Sequence, residues 1–139
     1  MLFRSVQHHN TFEGAPFFVP GTEGAEIHES LKPKENEILI TKTTPGCFYK
    51  TELHELLQKK SVKNLVIVGA MSHMCIDTTV REAYELGYAC EVISDACATR
   101  DLEFEGKVIK AADVHAAYMG SLAFWFAKVL KTEDYLKQN

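Results

Sequence analysis

An α/β fold built on a mainly parallel sheet is what this chain predicts, and three observations carry that expectation. Apolar runs of strand length alternate with segments of helical period, the alternation that right-handed crossovers between parallel strands produce. The 139 residues fit one domain, residues 1–139, with enough chain to bury a core. No internal repeat or low-complexity tract competes with that reading.

The elements follow in order. Met1 to Val6 is strand-like. His8 to Lys34 has no sustained period and is punctuated by Pro16, Pro20, Gly21, Gly24 and Pro33, so it reads as an ordered loop with a short helical turn. Glu37 to Thr41 is a second strand. Thr51 to Lys60 is an amphipathic helix with Leu53, Leu56 and Leu57 on one face, and Asn64 to Ala70 is a buried strand. Cys75 to Leu86 is a helix stopped by Gly87, whose tolerance of positive φ suits the first residue past a helix end. Ala89 to Ser94 is another strand, and Asp95 to Lys110 a polar loop. Asp113 to Leu130 is a long helix in which Val114, Ala117, Tyr118, Leu122, Phe126 and Val129 recur at helical spacing.

Composition narrows the function classes. A net charge of -4 with scattered Lys and Arg leaves no footprint for nucleic acid or an anionic membrane, which points to a small-molecule substrate. No apolar run approaches the roughly 20 residues of a membrane span. The four cysteines, Cys47, Cys75, Cys90 and Cys97, lack CxxC spacing and no leader peptide is apparent, so a reduced, cytoplasmic setting is expected.

Cys75 is the position with most chemical content. It stands where the apolar run Leu65 to Ala70 gives way to the helical pattern from Ile76 onward. A thiol delivered by a strand end to the first turn of a helix meets the positive end of the helix dipole and unpaired backbone N–H groups. Both favour thiolate, and the same N–H groups can hold an oxyanion. The alternative at such a position is a buried structural cysteine.

The string Gly69 to Arg81 (GAMSHMCIDTTVR), followed by Leu86-Gly87-Tyr88 and by Asp95 to Asp101, resembles the isochorismatase-like cysteine hydrolases. The resemblance extends upstream through Pro20 to His28, the strand Ile38 to Lys42 and Phe48, and downstream through Val114 to Met119, so it covers nearly the whole chain. It implies a three-layer αβα sandwich, a homo-oligomer, no cofactor, and hydrolysis of a small amide or related C–N bond through a thioester on the cysteine. Carried over residue by residue, it places the nucleophile on Cys75 and the triad lysine on Lys42. It also implies a cis peptide between Ala70 and Met71, and an oxyanion hole made by the backbone N–H groups of Met71 and Cys75. An ammonium beside a thiol stabilises the thiolate, which makes physical sense of the pairing.

One departure stands out. The triad aspartate of these hydrolases sits on a first, central strand, and this chain has no such segment, Met1 falling where the second strand should begin. The expectation is therefore a fold lacking its first βα unit. Either the chain is a fragment of a longer protein, or the two flanking strands close up and the site is degenerate, leaving a non-catalytic subunit or binding module.

Other acids offer no replacement by position: Asp77 follows the nucleophile, and Asp95 and Asp101 lie beyond the next strand, Asp95 reading as a turn or cap residue. His73, two residues before Cys75, is a candidate for the substrate pocket together with Phe48. His115 reads as a hydrogen-bonded core or interface histidine. His8 and His9 invite a metal, as in nicotinamidases of the same superfamily, but Asn10 and Phe17 stand where ligands would be needed, and no metal is expected. Phe12, Phe17 and Phe18 suit a pocket wall, the core or a subunit contact equally.

Overall fold

The computed structural model describes residues 4–138. Strand β1 (Arg4–His8) pairs in parallel with β2 (Ile38–Lys42). Strands β3 (Asn64–Ala70), β4 (Ala89–Ala98) and β7 (Lys128–Leu130) form a second parallel sheet in that order, and β5 (Leu102–Phe104) and β6 (Lys107–Ile109) make an antiparallel hairpin. Helices α1 (Leu53–Lys59), α2 (Asp77–Glu85), α3 (Ala111–Trp125) and α4 (Thr132–Gln138) connect or follow them. The α/β class with parallel strands is thus as expected. The expected first strand reached back to Met1, and residues 1–3 lie outside the described residues. β1 and β3 do not pair, so the parallel strands form two sheets and the flanking strands have not closed up on each other.

Alternation along β2 decides which side chains enter the core. Ile40 and Lys42 point inward and are buried, whereas Leu39 and Thr41 point outward. The parallel register sets Val6 opposite Ile40 and His8 opposite Lys42, so the polar pair shares the inward face of the apolar pair. That face meets Leu53 and Leu57 of α1, Val80 and Ala83 of α2, and Met119 and Leu122 of α3 around Cys90 and Val92 of β4. The opposite face carries α4, fastened by Thr132 to Asp95 and by Lys128 to Gln138. These are the layers of an αβα sandwich, thin on the α4 side.

Three expectations need correction. The strand at Asn64–Ala70 is not buried on both faces: Leu65 and Ile67 pack on the core, but Val66 and Val68 are exposed among the described residues. The loop expected over Asp95–Lys110 is largely strand, since β4 runs on to Ala98 past an irregularity opposite Ile67–Gly69 and a hairpin follows. The last helix stops at Trp125 rather than Leu130, because Lys128–Leu130 gains a ladder against Glu91–Ile93 of β4. Val129 therefore packs on the core from a strand, although it also fitted a helical period. By contrast, α2 ends where Gly87 predicted. Gly87 takes φ 87°, its N–H bonds the Tyr84 carbonyl, and the Tyr88 N–H reaches back to Ala83, the paired bonds of a Schellman cap. Among the described residues no helix is long and apolar enough to cross a membrane.

Two stability predictions arise here. Leu122 is fully buried at the centre of the core. Leu122→Ala should cost about 2 to 5 kcal/mol in urea unfolding, against less than about 0.5 kcal/mol for Leu136→Ala in α4, where the side chain is exposed. The second concerns Asp95, whose carboxylate accepts the backbone N–H and the hydroxyl of Thr132 at 2.8 and 2.9 Å and is held below the usual carboxylate range by those bonds. A depressed carboxylate stabilises the fold above its unfolded value and loses that contribution as pH falls through the folded one. The protection factors of α4 amides, taken relative to the intrinsic exchange rate at each pH, should therefore fall below about pH 4, and Asp95→Ala should remove that fall.

Candidate active site

The strand β3 ends at Ala70, a cis peptide joins Ala70 to Met71, and one turn of π-helix over Ser72–Ile76 then leads into α2. The helical run therefore starts three residues earlier than the expected Cys75, and Cys75 sits within the π turn rather than at its first position. The carbonyl of Met71 accepts the N–H groups of both Met74 and Ile76, which fixes the turn on the end of the strand. Ser72 anchors it from below. Its fully buried hydroxyl lies 2.8 Å from His115 Nδ1 of α3 and 3.3 Å from the Ala98 carbonyl of β4. His115 is thus a half-buried histidine hydrogen-bonded to Ser72.

Lys42, at the end of β2, and Cys75, in the π turn after β3, meet: Lys42 Nζ is 3.2 Å from Cys75 Sγ. Lys42 is only 5% exposed. Its ammonium donates to the carbonyls of Thr44 and Pro45 at 2.8 and 3.0 Å and lies 2.9 Å from His8 Nδ1. Among the described residues no carboxylate pairs with it. Asp77 pairs with Arg81, Asp95 with Thr132, and Asp101 with Lys110 and the N–H of Ala111 at the start of α3. The loop that presents the two carbonyls passes close to α2, and Gly46 leaves the room that the Glu82 carboxylate occupies; a Cβ there would collide with it.

The remaining thiols are in a different environment. Burial pushes Cys47 and Cys97 up, and Cys90 up to about 11. For Cys47 a hydrogen bond from Thr79 and the nearby Lys42 charge oppose that shift. Cys75, half-buried, is the cysteine with an ammonium in contact.

The other sequence candidates divide. His73 Nδ1 is 2.5 Å from Thr99 Oγ1 and its ring stands edge-on to Tyr118 at 6.0 Å; burial, and then the Arg100 charge, lower its basicity below that of an ordinary histidine. Phe48 is partly buried against the core, stacked on Tyr88 at 5.9 Å and edge-on to His54. Phe12, Phe17 and Phe18 are exposed, with Phe18 edge-on to His8 at 6.1 Å. Among the described residues no three His, Cys, Asp or Glu side chains cluster as metal ligands would. Sequence reasoning tested His8 and Asn10 only as metal ligands and missed their place beside Lys42. The signal was available in the parity of the strands, since His8 and Lys42 each stand two residues beyond an inward aliphatic.

Comparison with known proteins adds four findings. The family model of the Isochorismatase domain matches residues 3–134. An uncharacterised isochorismatase family protein of Bacillus subtilis, YddQ, is 51% identical over 132 residues, covering 95% of this chain and 73% of its own length. The crystal structure of an isochorismatase hydrolase from Oleispira antarctica superposes with a TM-score of 0.93 at 45% identity, covering 99% of this chain and 72% of that one. Nicotinamidase 3 of Arabidopsis thaliana is 33% identical over 109 residues, and this chain covers half of it. Across the first relatives the chain spans between 64% and 73% of their length.

The contact between Lys42 and Cys75 generates a prediction about thiol chemistry. Under limiting iodoacetamide at pH 7, peptide mapping should find Cys75 alkylated well before Cys47, Cys90 and Cys97. Lys42→Ala should slow that labelling about 10- to 100-fold, the effect of removing an adjacent opposite charge. Equal labelling of all four thiols in folded protein would contradict it.

Proposed function

This chain belongs to the Isochorismatase domain family, and from that premise we propose that it is a cysteine hydrolase cleaving a small-molecule amide or related C–N bond through a thioester on Cys75. The observation that carries this reading is the 3.2 Å contact between a buried lysine and a half-buried thiol at a strand-to-helix turn. Relatives in the family are named nicotinamidase, ureidoacrylate amidohydrolase and streptothricin hydrolase, all hydrolases and two of them named for amides, which supports the same bond class.

The chemistry runs as follows in this reading. The Cys75 thiolate adds to the acyl carbon, and the carbonyl electron pair moves onto oxygen, held by the backbone N–H groups of Met71 and Cys75. Collapse re-forms the C=O bond and breaks the C–N bond, with the Lys42 ammonium giving its proton to the departing amine. Water adds to the thioester and returns a proton to Lys42. Breaking the C–S bond then releases the carboxylic acid and restores the ammonium–thiolate pair. His73 and Phe48 are the proposed substrate contacts, and no cofactor takes part. The working form in this reading is a homo-oligomer, supported by the exposed Phe124 and Trp125 on α3, and a cytoplasmic setting is supported by the free Cys47, Cys75, Cys90 and Cys97.

The alternative is a catalytically impaired subunit or binding module, and the two readings part in a single experiment. A panel of small amides that includes nicotinamide should be turned over by the protein, and Cys75→Ala should abolish turnover. Lys42→Met should lower kcat/KM by about 10² to 10⁴, the usual range for losing a proton-transfer group. Turnover that survives Cys75→Ala removes the thioester mechanism. No turnover by well-folded protein favours the binding module, and recovery on adding a βα segment that supplies an aspartate would return the enzyme reading.

A further inference from the structure

We propose that His8, locked in its Nε2–H tautomer by Asn10, is a positioning residue that holds the Lys42 ammonium directed at Cys75. The proposal rests on the hydrolase reading for its catalytic meaning, but its geometry and its test stand apart from any substrate.

The argument begins at Asn10. Its Nδ2 donates to the Phe17 carbonyl at 2.9 Å, and its backbone N–H bonds the Phe18 carbonyl, so the side-chain amide has one orientation and turns Oδ1 toward His8. Oδ1 lies 2.8 Å from His8 Nε2 and can only accept, so the hydrogen is on Nε2. In a neutral imidazole the other nitrogen is then a lone pair. That nitrogen, Nδ1, lies 2.9 Å from Lys42 Nζ and accepts from it.

Among the described residues the three N–H groups of the Lys42 ammonium are shared among four acceptors, the carbonyls of Thr44 and Pro45, the imidazole of His8 and Cys75 Sγ. A cation so deeply buried needs such groups in place of its water. The two loop carbonyls cannot be altered by changing a side chain. His8 is the adjustable one. The opposite tautomer, or a protonated ring, would direct an N–H at the ammonium and push it off the thiol. The titratable groups facing His8 are Lys42 from β2 and, beyond it, Cys75 from the π turn, while the Phe18 ring covers one side at 6.1 Å. The strand register makes the contact possible, because His8 is the parallel partner of Lys42.

The test uses the intact protein and the pH–rate profile of Cys75 alkylation by iodoacetamide, with Cys47 and Cys90 as in-protein controls for unfolding. His8→Leu should slow Cys75 labelling at pH 7 about tenfold, the effect of one unit in a thiol's ionisation, and shift the profile to higher pH while the buried thiols stay protected. His8→Asn, which returns an acceptor near the Nδ1 position, should restore most of the rate, as a merely space-filling role would not. Nitrogen-15 spectra of the wild-type imidazole should show Nε2–H, and Asn10→Ala should lose that preference. Wild-type labelling in His8→Leu, no recovery in His8→Asn, or an Nδ1–H tautomer would overturn the proposal. If His8→Leu does not fold, the wild-type tautomer decides. Absent amide turnover with His8-dependent labelling would remove the hydrolase reading and leave this one standing.

Discussion

A lysine that is 5% exposed and has no carboxylate beside it among the described residues sets the terms for everything around it. Burying an ammonium costs several kcal/mol unless its hydration shell is replaced. The replacement recruits three separate parts of the chain: the loop after β2 supplies the Thr44 and Pro45 carbonyls, the end of β1 supplies His8, and the π turn supplies the Cys75 thiol. Each of these has its own support. The loop lies against Glu82 through Gly46, His8 is braced by Asn10, and the turn is tied through Ser72 to α3 and β4. A neutral side chain at position 42 would remove the reason for this convergence.

Much of the fold was legible because the local signals agreed with the tertiary outcome. β2, α1 and α2 fall close to where period and turn chemistry place them, and Gly87 caps α2 as expected. The failures have a common cause. Apolar residues at the end of α3 satisfy a helical period and a short strand equally well, and only the free edge of β4 decides for the strand at Lys128–Leu130. The hairpin over 102–109 and the extension of β4 to Ala98 likewise depend on partners that no local window contains. Val66 and Val68 mislead in another way: an unbroken apolar run suggests burial on both faces, yet among the described residues helices cover one.

The site was legible in a different sense. Cys75 was visible from its position between a strand pattern and a helix pattern, whereas Lys42 by pattern alone is one strand-end lysine among many and was singled out by the resemblance. His8 and Asn10 were weighed against a metal template and set aside. Their role depends on the register between β1 and β2, a long-range quantity, and on the carbonyl of Phe17 that orients the Asn10 amide. A histidine's function is a statement about which of its nitrogens holds a hydrogen, and no sequence pattern carries that.

Lys42 ends a strand of one sheet and Cys75 sits in the π turn that follows a strand of the other, and this bears on how the site is held. Among the described residues no backbone ladder runs between β1–β2 and β3–β4–β7, so within them the 3.2 Å contact is not fixed by strand register. It is fixed by side chains that cross the break. Ile40, two residues before Lys42, packs in one cluster with Ile76, the residue after Cys75, and with Val80, Val92 and Leu122. Such interiors are close-packed and respond to the loss of a few methylenes by shifts of the surrounding elements. Reacting groups misplaced by about 1 Å lose about two orders of magnitude in rate. The geometry of the site is therefore a property of the core between the sheets as much as of the residues in it, and the hydrophobic packing that stabilises the fold also sets the distance on which the chemistry turns.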